Sequence, residues 1–106
     1  MDNFTCIYKI LKALEKAMDY SEFDIKQINH EKLNITKERW SRYIEMMTDM
    51  GLIKGIMIEK DIMGNTEIYD NGIRITLKGL EYLSENTFMK KAYQLAKGIK
   101  DITPFI

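Results

Sequence analysis

The feature that most constrains this chain is a change of hydrophobic period at Gly51. Upstream of it, Trp40, Tyr43, Ile44, Met47 and Met50 recur at the three- and four-residue steps of one helical face, and Thr36 stands where a hydroxyl caps the first turn. Gly51 occupies the left-handed stop position, and the Ile-rich run Leu52–Lys60 starts directly behind it. A second Ile-bearing run covers 73–76, and between the two Asp61, Gly64, Asn65, Asp70, Asn71 and Gly72 supply turn chemistry. The pattern predicts a helix over 36–50 that feeds a two-stranded hairpin over about 52–76 with a long tip. A helix joined to a hairpin with no crossover confines a short chain to a few α+β arrangements.

The remaining segments supply helices to pack on that unit. Phe4, Ile7, Tyr8, Leu11, Leu14 and Met18 form one face of a first helix over 3–18, and Cys6, Ile10, Ala13 and Ala17 form a second stripe beside it. Phe23 and Ile25 alternate briefly in 22–28, after which Asn29 caps a short helix over about 29–34 anchored by Leu33. Thr76 caps a helix over about 77–85, and Thr87 caps a last one over about 87–101, ahead of Pro104. One domain over 1–106 follows: α+β, mainly α, a winged helix-turn-helix with a β-hairpin wing and two additional C-terminal helices.

Composition narrows the function classes. The 106 residues are 45% hydrophobic and 30% charged, the balance of a chain that buries one core. Sixteen Lys plus Arg cancel sixteen Asp plus Glu, so bulk charge points to no polyanionic partner. The single cysteine forms no internal disulfide, no apolar run approaches the roughly 18 residues that cross a bilayer, and a cytoplasmic location without membrane contact is expected. Cys6 and His30, each the only one of its kind, fall on different segments, so neither a Cys/His nucleophile pair nor a metal site is expected. The tip 63–66 lacks the repeated glycines and lysine of a phosphate cradle. No enzyme activity and no cofactor are expected.

The run Trp40–Gly55 (WSRYIEMMTDMGLIKG), followed by Ile75–Leu83 (ITLKGLEYL) and Ser84–Lys91 (SENTFMKK), resembles the YjcQ-like family of small winged-helix proteins from Gram-positive bacteria and their phages. The resemblance covers most of the chain. Its most specific part is the Thr-x-x-Gly-x-x-Tyr-Leu block of Thr76, Gly79, Tyr82 and Leu83, which runs into Glu85, Asn86 and a lysine-bearing last segment. Similar Leu-Thr-x-x-Gly blocks close the wing in several families of winged-helix regulators, with Ile75 in the leucine place here. The resemblance implies the fold, a DNA-binding regulatory role inherited from it, and no catalytic residues.

In such a fold the 36–50 helix reads the major groove. Opposite its Trp40 stripe stand Glu38, Ser41, Arg42, Glu45 and Asp49, with Lys37 and Arg39 on the flanks near the N-terminal end. Lys37, Arg39, Ser41 and Arg42 are therefore the helix's candidates for contact with duplex DNA, and Lys60, Asn65 and Arg74 are the wing's. Acids outnumber bases on the outward face of the helix, where Glu38, Glu45 and Asp49 face Arg42, and on the hairpin, where Glu59, Asp61, Glu67 and Asp70 face Lys54, Lys60 and Arg74, which equally fits a protein-interaction module on the same scaffold that leaves nucleic acid alone. Ile62 and Met63, apolar on an exposed turn, are the candidate contacts for a protein partner. A continuous basic strip joining helix and wing favours DNA; broken charge with an apolar tip favours protein. The two stripes of the first helix and the apolar side of the last one exceed what the hairpin needs as cover. They predict a homodimer through these helices, with Ala13 and Ile99 at its contacts.

Overall fold

A computed structural model describes residues 2–86 and residue 95 of the chain. The expected last helix over 87–101, with Ile99, otherwise lies outside the described residues. The fold is α+β and mainly helical: α1 (Asn3–Lys16), α2 (His30–Leu33), α3 (Lys37–Asp49), an antiparallel hairpin of β1 (Ile53–Lys60) and β2 (Thr66–Ile75), and α4 (Leu77–Glu85). Among the described residues no helix is long and apolar enough to cross a membrane.

Capping chemistry sets the helix starts. The Asp2 carboxylate accepts from the Thr5 N–H at 2.8 Å, Asn29 from Lys32 at 3.0 Å, and Thr36 from Arg39 at 3.1 Å, each satisfying an orphan donor of a first turn. Asn34 closes α2 in the left-handed conformation, and Gly51, at φ +75°, closes α3 as its position implied. Ahead of α2, residues Ile25–Ile28 form a 3₁₀ turn in place of an extended run, because the Asp24 carboxylate accepts from Lys26 and bends the backbone.

The core lies where α1 meets α4 and β2 on one side while α3 meets α2 and the hairpin on the other. Both stripes of α1 turn inward together, burying Cys6, Tyr8, Ile10, Leu11 and Leu14. Ala13 packs against that same core, so it is already seated within its own chain. Phe4 and Met18 depart from expectation at 61% and 60% exposure: they sit at the two ends of the α1 region, and the regular helix gives way to a 3₁₀ turn at Ala17–Asp19 before Met18 can follow the stripe. On α3 the stripe Trp40, Tyr43, Ile44 and Met47 is buried, and the Trp40 indole N–H donates to the Ile28 carbonyl at 2.7 Å. Met50 is left exposed beyond the last turn.

The hairpin corrects the expected long tip. β2 begins at Thr66, so the tip is Asp61–Asn65, and Lys60 pairs with Thr66 while Ile58 pairs with Ile68. The second cluster of turn residues lies inside the strand as a bulge: the register shifts between Lys54 and Ile56, and the Asp70 carboxylate accepts from the N–H groups of Gly72 and Ile73. At the base of the hairpin, Thr76 donates to the Gly51 carbonyl and accepts from the Gly79 N–H, which ties the end of α3, the end of β2 and the start of α4 at one residue.

Candidate functional site

α3 and the hairpin enclose a cleft of about 430 Å³. Lys37, Glu38, Ser41, Arg42 and Glu45 line it from the helix, and Lys60, Asn65, Thr66 and Glu67 from the hairpin, so five of the candidates, Lys37, Ser41, Arg42, Lys60 and Asn65, are brought together. Ser41 is corrected: only 5% exposed, it forms the floor of the cleft instead of standing on an outward face, because the hairpin folds over the side of α3 that carries it.

The charges in the cleft cancel. Lys60 pairs with Glu45 at 3.0 Å, and Lys37 faces Glu67 at 3.9 Å, so two of the three cations are partnered by acids across the helix–hairpin gap. Both pairs are exposed and individually weak, on the order of 0–1 kcal/mol, yet they set the sign of the surface. Arg42 has no hydrogen-bond or ion-pair partner among the described residues. Arg39 is not in the cleft. Its guanidinium donates to Asn3 Oδ1 at 2.7 Å and to the Tyr43 hydroxyl at 3.3 Å, while that hydroxyl in turn donates to Asn3. This network fastens the start of α1 to α3, and acceptance by the Tyr43 oxygen pushes the Arg39 pKa up. Arg74 is likewise separate: it pairs with Lys54 at the base of the hairpin and lines a different concavity, with Glu22 and Phe23.

The tip carries the opposite character. Ile62 and Met63 are fully or nearly fully exposed, at 104% and 83%. The Asp61 carboxylate builds the turn beneath them, accepting from the N–H groups of Met63 and Asn65 and from the Asn65 side chain. On the strands behind the tip, Met57 and Tyr69 oppose each other and are both about half exposed. Glu67 counts among the hairpin's acids in the sequence, but its place across from Lys37, like the pairing of Tyr69 with Met57, follows only from β2 starting at Thr66 and not at Ile73; the alternation of Ile68 with Glu67 and Tyr69 is the signal for that earlier start.

Charge is also divided along the chain. Residues 1–86 hold twelve basic and fifteen acidic side chains, and residues 87–106 hold four basic and one acidic, so a body of net −3 carries a segment of net +3. No potential metal cluster of His, Cys, Asp and Glu occurs among the described residues, and Cys6 is buried, which pushes its thiol pKa up and away from nucleophilic use.

No curated protein and no solved structure gives a significant match to the chain. A family model does: the one described as YjcQ protein matches residues 8–102, nearly the whole length, and the chain therefore belongs to the YjcQ family.

Proposed function

We propose that this chain is a winged helix-turn-helix scaffold used as a protein-interaction module, with α2 and α3 as the helix-turn-helix pair and β1–β2 as a wing that docks a partner through its tip. The observation that carries the reading is the broken charge of the α3–hairpin face beside a bare apolar tip. Lys37 and Lys60 are partnered by Glu67 and Glu45, the body bearing that face is net −3, and Ile62 and Met63 project into water. A polyanion gains affinity chiefly by displacing counterions with free cations, and this face offers few. Two exposed apolar side chains on a rigid turn gain affinity only from another apolar surface.

The test compares the natural chain with an Ile62→Ser, Met63→Ser variant as bait in nuclease-treated lysate of its host. A partner retained by the natural chain after nuclease and lost with the variant, while far-UV circular dichroism is unchanged, is the expected outcome. Retention that vanishes on nuclease treatment overturns the reading.

One observation favours a second reading, binding of duplex DNA in a regulatory role: Lys37, Arg42, Lys60 and Asn65 line one cleft between a helix and a hairpin, the placement a groove-reading helix and its wing need. With three cations engaged, log affinity would fall against log salt with a slope of about −3.

A further inference from the structure

An apolar trough runs along α1 and α3, beside the hairpin cleft. Phe4, Ile7, Met46, Met50, Leu52 and Tyr82 line its first part, a concavity of about 340 Å³ bordered by Glu81 and Glu85 of α4. A second concavity of about 530 Å³ shares Phe4, Ile7 and Met46 with it and continues beside α3 past Tyr43 to Thr36. Phe4, Met46 and Met50 are 61%, 48% and 58% exposed, which is costly for three neighbouring large apolar side chains unless something covers them.

The chain itself carries a matching cover. Phe88, Ala92, Leu95, Ile99 and Ile102 follow one another at alternating four- and three-residue steps, the spacing of a narrow helical seam. From residue 88 to 102 is fourteen residues, about 21 Å at helical rise, the same span as Thr36 to Met50 along the trough. Charge agrees only at the scale of the whole molecule: the segment is net +3 against a body of net −3, while the trough's own border is mixed, with Lys78 beside Glu81 and Glu85 in the first concavity and Arg39 and Arg42 in the second. Among the described residues, Leu95 on the apolar side of the segment is 63% exposed, as Phe4, Met46 and Met50 of the trough are exposed.

We infer that the trough receives residues 88–102 of a second copy of this chain, in a twofold dimer in which each copy gives its segment and covers the other's trough. An exchange of this kind is isologous and closed, so each contact is made twice and no further surface is left to extend the assembly. It meets the α3–hairpin cleft at Arg42, which lines both, and does not rest on what that cleft binds.

The experiment is sedimentation of the natural chain and of two full-length variants, Met46→Glu in the trough and Ile99→Glu on the segment, with methionine oxidation by dilute peroxide read by mass spectrometry. A dimer is expected for the natural chain and a monomer for each variant, and mixing the two variants is expected to restore a heterodimer through the one intact trough and segment. In the dimer Met46 and Met50 oxidise about fivefold or more slowly than Met18 and Met63, and this protection disappears on dilution. Because Met46 is exposed, its replacement leaves the core intact, and circular dichroism checks this for both variants. A monomeric natural chain whose Met46 and Met50 oxidise as fast as Met63 overturns the inference. So does protection that persists on dilution in a monomer, since the segment then covers its own chain's trough.

Discussion

A Cβ on Gly79 would stand 2.4 Å from the Leu52 carbonyl oxygen and 2.6 Å from Ile75 Cγ1, so α4 approaches the strand ends at a distance only hydrogen allows. Replacing Gly79 by Ala gains about 0.5–1 kcal/mol of helix propensity and costs about 1–3 kcal/mol of overpacking. The net expected effect is a lower urea midpoint, and an unchanged midpoint would contradict the packing described. Asp61 acts at the tip through hydrogen bonds alone. The Asn65 side-chain amide and then the Asn65 N–H hold its carboxyl below the usual value of 3.8, with smaller help from Met63 and Gly64. For a depressed carboxylate the ordering is present above 3.8 and is lost as pH falls through the lower, folded value. The amide signals of Met63 and Asn65 should therefore titrate with a midpoint below 3.8; a midpoint at or above it would mean the tip is not built on Asp61. Both devices were half legible in the sequence. Gly79 stood out in its Thr-x-x-Gly block, whereas the contact it permits depends on Leu52, distant along the chain.

At the scale of elements, what could be read was what depends on local period and caps. The buried stripe of α3 from Trp40 to Met47, the caps at Asn29, Thr36 and Thr76 and the stop at Gly51 all follow from neighbours within one helical turn. What could not be read depends on elements meeting. Ser41 looks outward in the sequence because helical angle alone places it off the Trp40 stripe, on the opposite face, and only the hairpin folding over α3 buries it. The Asp70, Asn71 and Gly72 cluster looked like a loop because a bulge uses the same residues as a turn. The pairing of Lys60 with Glu45 and of Lys37 with Glu67 was equally invisible, since each joins α3 to the hairpin. Changing both Glu45 and Glu67 to Gln should shift stability by no more than about 1 kcal/mol, as exposed pairs do. It should also free two cations and give stronger salt-sensitive retention of duplex DNA than the natural chain shows. If the doubly changed chain ignores DNA as well, the ion pairs are not what keeps the face from a polyanion.

For the whole molecule, the zero net charge conceals a division. An acidic body and a basic C-terminal segment cancel in the total, and neither was visible in a composition summed over all 106 residues. The division bears on both proposals: a basic segment is attracted to an acidic body, and that body gives the α3–hairpin cleft no strong positive field of the kind that steers a protein to nucleic acid. The central claim is that this cleft and its apolar tip meet protein. It is tested most directly by fluorescence anisotropy of a labelled random-sequence duplex pool titrated with the natural chain at about 50 mM and 200 mM salt. Flat anisotropy at both salts is the expected result; a rise at the lower salt that the higher salt abolishes, with a log–log slope near −3, would contradict it.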